Sequence, residues 1–261
     1  GLPSPPFRLA RPPVTPGGWR LAPYYVSEQV SLRSLGARDV SGQGGQQLHD
    51  MVGRLSAMPG ITKPKVAIIE SPVPNALATG RNPAHSVGAV TTGNLETLDA
   101  EEMEAVLAHE LSHVIHRDMR VMAMASFFAT VASFIVQSGL WGGFGGGYGG
   151  GDRENRDRGN SFIVIFVISL IVWAISFVLI RTLSRYREYS ADRGSAVITG
   201  QPSKLASALG KISGKMQRIP ETDLRQVEAG NTLMIFPAIS RGSISEIFST
   251  HPSLEHRLAK L

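Results

Sequence analysis

The chain has 261 residues, no cysteine, and 26 basic against 21 acidic side chains, for a net charge of +5. The absence of thiols excludes disulfides and thiolate metal ligands. Charged residues make up only 18% of the chain, and the basic ones are dispersed or flank apolar runs. Membrane topology therefore explains the positive charge better than a nucleic-acid surface, which needs clustered basic and aromatic residues.

Residues 1–24 are Pro-rich, weakly basic and not apolar enough to span a bilayer, so they are expected to be disordered; no secretory signal is visible. Leu48, Met51, Val52, Leu55 and Met58 recur at helical spacing and predict an amphipathic helix over 45–58. Pro64 precedes an apolar run, Lys65 to Ile69, that reads as a strand, and Asn75 to Thr79 and Ser86 to Thr91 read as two more. Asp99 then suits an N-cap, with Glu102 three residues on as its capping-box partner and Glu101 and Glu104 near the positive end of the helix dipole.

That helix carries His109-Glu110-Leu111-Ser112-His113. Histidines four apart lie on one face and can grip a single ion, while Glu110, rotated about 100°, reaches a water on the ion rather than the ion itself. This pattern points to a zinc peptidase with Glu110 as general base. His116 is poorly placed to complete the site. Met119 stands where the pattern with a third helical histidine needs His, so that class is excluded.

Two apolar runs follow, Val121 to Leu140 and Ser161 to Ile180, each about the length that crosses a bilayer. Between them residues 141–160, Gly-rich and then charged, read as a flexible loop. The runs form a membrane hairpin whose ends return to one side. Glu188 and Asp192 lie just beyond it, four apart, and spacing alone leaves them readable either as an acidic surface patch or as a metal ligand with an acceptor for a ligand-histidine N–H. The hairpin favours the second reading, because it brings Glu188 back to His109 and His113. Arg117, Arg120, Arg181, Arg185 and Arg187 flank the runs on the catalytic side, which places that side in the cytoplasm or its organellar equivalent. Gly200 and Pro202 end the Glu188 helix, and Ser203 to Ile212 reads as another. Residues 213–230 are polar and poorly periodic and are expected to be mobile, and Leu233 to Phe236 reads as a short strand stopped by Pro237.

The order Pro74-Asn75-Ala76-Leu77-Ala78-Thr79-Gly80, the HELSH helix, two apolar runs, Glu188 to Asp192 and Phe248-Ser249-Thr250-His251-Pro252 resembles the HtpX-type membrane zinc peptidases, relatives of the CAAX prenyl endoproteases. The resemblance covers residues 25–261, read as one metallopeptidase domain. It implies a mainly α membrane protein of α+β type: a zincin-like domain of the gluzincin kind, with a small edge sheet and a transmembrane hairpin inserted between the Zn²⁺ ligands. It also implies that Asn75 and Ala76 hold an extended substrate at a strand edge, and that His251 and Arg257 stabilise the oxyanion or bind substrate. Without it, His251 reads as a loop histidine and Arg257 as a solvated helix residue. The expected function is zinc-dependent hydrolysis of unfolded or membrane proteins in quality control, in the lipid bilayer of a bacterial inner membrane and without nucleic acid. The alternatives are a non-catalytic zinc-binding scaffold or an inactive fragment. Two departures from the family pattern stand out: two membrane helices usual before the catalytic domain are not seen, and Leu77 replaces a usual Phe.

Overall fold

The computed structural model describes residues 36–40, 45–80, 82–145, 154–218 and 252–261. In chain order the elements are β1 (Ala37–Asp39), α1 (Gln46–Ala57), β2 (Lys65–Ile69), β3 (Ala76–Gly80), a 3₁₀ turn at Pro83–His85, β4 (Ser86–Thr91), α2 (Thr92–Thr97), α3 (Ala100–Ile115), α4 (Asp118–Gly145), α5 (Glu154–Thr199), α6 (Pro202–Met216) and α7 (Leu254–Leu258). They divide into two compact units, one running to Met119 and resuming at Arg185, the other comprising Arg120–Ser184.

The first unit is built on a four-stranded sheet of order β1-β2-β4-β3. β2 and β4 run parallel, with Ala67 opposite Ala89, and antiparallel strands flank them: β1 on β2 and β3 on β4. Helix α1 buries Leu48, Val52 and Leu55 of the expected stripe in the core, with Met51 partly buried, while Met58 just past its end is exposed. Helix α3 meets β3, β4, α1 and α6. That many neighbours explains its composition: Ala105, Val106, Leu107 and Ala108 are all buried, on successive faces, as in a helix enclosed on every side. Its start is the expected capping box. Asp99 Oδ1 accepts from the Glu102 N–H at 2.8 Å, and the Asp99 N–H donates to Glu102 Oε2 at 3.0 Å. Ser207 and Lys211 of α6 also bind the Glu102 carboxylate, at 2.7 Å each, so the cap fastens α6 to α3.

Within the first unit α5 presses on α3 without room for a side chain. A Cβ on Gly194 would fall 2.3 Å from Ser112 Oγ and 2.8 Å from Ser112 Cβ. Ala191 beside it is wholly buried, and Ser195 Oγ donates to the Ala105 carbonyl at 2.7 Å. Small residues at 191, 194 and 195 therefore set the distance between the two helices that carry the expected ligands.

One stretch of α5, Phe166–Thr199, which begins in the second unit and ends in the first, is long and apolar enough to cross a membrane by length and composition; its best window is almost wholly unburied. At 1.5 Å per residue it is about 50 Å long, more than a bilayer's hydrocarbon core requires. The other expected span lies in α4, where Arg120–Val131 is a shorter apolar stretch. Of residues 141–160, expected as a loop, 141–145 belong to α4 and 154–160 to α5, and 146–153 lie outside the described residues. Helix propagation is cooperative, so an established apolar helix extends into flanking residues that would not nucleate one. Likewise residues 213–216, expected to be mobile, complete α6. The strand expected at 233–236, the Pro-rich 1–24 and His251 lie outside the described residues.

Candidate metal centre

His109 and His113 sit one turn apart on α3, and Glu188 is presented by α5. The two Nε2 atoms are 3.3 Å from each other. Glu188 Oε2 is 3.6 Å from His109 Nε2, and Oε1 is 3.7 Å from His113 Nε2. The three groups can offer ligand atoms that all lie within 4.8 Å of one another. A tetrahedral ion bonded at about 2.0–2.1 Å separates its ligand atoms by about 3.3–3.4 Å, so the donor set fits one zinc-sized ion. Two ring nitrogens facing each other at 3.3 Å, edge to face, is an arrangement that a shared cation explains.

Each ring is oriented from behind by a carboxylate. Asp192, one turn beyond Glu188 on α5, has Oδ1 2.9 Å from His109 Nδ1. Arg257 of α7 forks onto the same carboxylate, Nε donating to Oδ2 at 2.9 Å and Nη2 to Oδ1 at 2.5 Å. Arg257 is 1% exposed, so it is no solvated helix residue: its guanidinium is buried in a charge-assisted pair, with Nη1 3.9 Å from Glu188 Oε2. On the other ring, Asp118 Oδ2 lies 2.6 Å from His113 Nδ1, and Arg187 Nε lies 3.0 Å from that same oxygen. Asp118 did not figure among the expected site residues. The only sequence signal for it is an acid at the start of α4, five residues after His113.

Burial alone would lower the His109 pKa, but Asp192 and Glu188 outweigh it and push it up to about 9. Burial would raise Asp192, yet its bonds from His109 and Arg257 hold it below the usual carboxylate range. Asp118 is held low in the same way by His113 and Arg187, against its burial. Glu110 is the exception. Burial pushes its carboxyl above the ordinary range in spite of the two histidines.

Glu110 is 4% exposed, and the backbone of Ala78 in β3 lies close enough to its carboxylate to favour the charged form slightly. Strand β3 is the end strand of the sheet opposite β1. The Thr91 N–H bonds to the Asn75 carbonyl at 3.0 Å, which sets the phase of the β3–β4 ladder. The peptide groups of Leu77 and Thr79 therefore face β4, while those of Ala76, Ala78 and Gly80 face the edge, which no described strand pairs. Asn75 is buried at the head of that edge, where its Oδ1 accepts from the Ala76 N–H at 2.9 Å. Of the expected residues, the structure thus gathers His109, Glu110, His113, Glu188, Asp192 and Arg257 around one point, and puts Ala76 at the start of the strand beside Glu110 with Asn75 just before it.

The model of "Peptidase family M48" matches residues 43–261. "Protease HtpX homolog" of Moorella thermoacetica is 57% identical over 91% of this chain and 78% of its own length. "Protease HtpX homolog 2" of Methanosarcina acetivorans is 55% identical over 91% of this chain and 79% of its own. Among solved structures, "Crystal Structure of S. mikatae Ste24p" superposes with a TM-score of 0.56 over 93% of this chain, at 18% identity, a likeness of fold. This chain spans about half of that one, 55%. With a match of that extent and two HtpX-homologue proteases more than half identical to it, the chain belongs to peptidase family M48.

Proposed function

We propose that this metalloprotease is a zinc-dependent endopeptidase, embedded in a membrane by α5 together with α4, that cleaves misfolded or membrane proteins. The observation that carries the metal chemistry is the pair of Nε2 atoms 3.3 Å apart with Glu188 closing the set. His109, His113 and Glu188 would hold the ion. Bound there, zinc would lower the pKa of a water to about 7 and polarise the scissile carbonyl.

Glu110 accepts the proton of the attacking water and passes it to the leaving amine; its raised pKa makes it a competent base and then a competent acid. The open edge of β3 offers the carbonyls of Ala76 and Ala78 to an extended substrate strand, which would lie over Glu110 by β-addition. A main-chain grip of this kind is indifferent to side chains, which suits unfolded substrates. Arg257 acts through Asp192, holding the His109 ring, while His251 is assigned to the oxyanion on the strength of the resemblance. Support for the membrane reading comes from the apolar, unburied stretch of α5; the basic residues that follow its apolar run Ser161 to Ile180, Arg181, Arg185 and Arg187, support a cytoplasmic active site.

The test is cleavage of a loosely folded protein by the full chain in detergent, stripped by chelator and then given zinc. Zinc-started cleavage that Glu110→Gln lacks supports the proposal. Zinc binding without cleavage by either form would make the chain a zinc-holding scaffold.

A further inference from the structure

We propose that Asp118 and Arg187 are a positioning pair for His113, the counterpart of Asp192 and Arg257 on His109. The inference rests on the zinc reading above. The two sides of the centre repeat one arrangement: a ring Nδ1 on a buried aspartate, and that aspartate on an arginine. On the His113 side one oxygen, Asp118 Oδ2, takes both partners, at 2.6 Å from the ring and 3.0 Å from Arg187 Nε. Asp118 is 5% exposed, so water does not substitute for either partner.

The backbone is shaped for this contact. α3 ends at Ile115 with His116 as its C-cap, α4 begins at Asp118, and between them Arg117 has φ +56°, a left-handed conformation that residues with side chains seldom adopt. That single residue breaks what would otherwise be one continuous helix and turns Asp118 back towards His113. Arg187 immediately precedes the ligand Glu188, so its ion pair with Asp118 also ties the ligand-bearing turn of α5 to the α3–α4 corner. An imidazole whose Nδ1–H is given to a carboxylate has its tautomer and ring angle fixed, and its Nε2 becomes a stronger donor to a metal.

The test measures zinc affinity by competition with a chromogenic chelator, beside thermal melting of the metal-free protein, for the full chain and for Asp118→Asn, Asp118→Ala and Arg187→Gln. Asp118→Ala is expected to bind zinc about 10- to 100-fold more weakly. Asp118→Asn keeps an acceptor oxygen without the charge and should fall between it and the wild type, as should Arg187→Gln. Metal-free melting should stay close to wild type. If the alanine variant does not fold, the nearly isosteric asparagine variant carries the comparison. Wild-type affinity in Asp118→Asn and Arg187→Gln, or lowered metal-free melting with affinity unchanged, would overturn the assignment. Failure of the wild type itself to bind zinc would instead sink the zinc reading.

Discussion

Gly194→Ala tests whether the spacing of α3 and α5 sets the metal geometry. The added methyl would sit 2.8 Å from Ser112 Cβ, an atom fixed by the α3 backbone, where ordinary contact needs about 3.8 Å. Ser112 Oγ, at 2.3 Å, can rotate away only by giving up its 2.8 Å bond to the Ala108 carbonyl. The helices must therefore separate locally by about 1 Å, carrying Glu188 away from the two histidines. Overpacking of this kind costs about 1–3 kcal/mol, and alanine's better helix propensity returns about 1, leaving a net destabilisation of about 0–2 kcal/mol. The effect on function should be larger, because a 1 Å misplacement of reacting groups can cost about 100-fold in rate. Zinc competition and proteolysis in detergent, with urea unfolding alongside, read both effects. Ser112→Gly in the same chain removes the obstructing Cβ and should restore much of the loss. Unchanged affinity and rate in Gly194→Ala would refute the claim that this contact sets the ligand spacing.

Glu110→Gln should bind one zinc per chain yet cleave about 10²- to 10⁴-fold more slowly, measured as single-turnover proteolysis. Arg257→Met should leave the buried Asp192 with His109 in place but without its fork, and cost about 1.5–3 kcal/mol for a lost charge-assisted bond, read by urea unfolding of the metal-free protein. In the metal-free state His109, with its pKa at about 9, carries a proton at pH 7 that zinc must displace. Zinc affinity should therefore rise with pH up to about 9, by at most tenfold per unit from this group, and calorimetry in buffers of different ionisation heat should show the proton released. Affinity independent of pH between about 6 and 8 would contradict that assignment.

The catalytic helix was legible because its information is local. The Asp99–Glu102 cap and the four-residue spacing of His109 and His113 are helix properties, and both appear as read. The four-residue spacing of Glu188 and Asp192 was legible for the same reason, while their place beside His109 rested on the expected hairpin. Strand β3 differs from its expected limits by one residue, since Asn75 is spent on Thr91 and on capping Ala76. β1 and α2 were not foreseen: three residues are too few to show alternation and six too few to show helical period. Arg257 looked like a surface residue because what buries it, Asp192, lies 65 positions away. Asp118 was missed because its link to His113 depends on the left-handed turn at Arg117, which an arginine does not announce. Arg187, counted as a topological charge, belongs to the same hidden contact.

X-ray absorption at the zinc edge of the zinc-loaded Glu110→Gln protein tests the central claim most directly, because that variant holds the centre without destroying its substrate or itself. The account requires one zinc per chain, bonded only to nitrogen and oxygen at about 2.0–2.1 Å, with outer scattering from two imidazoles that falls to one in His113→Ala. A stoichiometry well below one, or an unchanged two-imidazole signature after loss of His113, would place the metal elsewhere and contradict the site built on His109, His113 and Glu188.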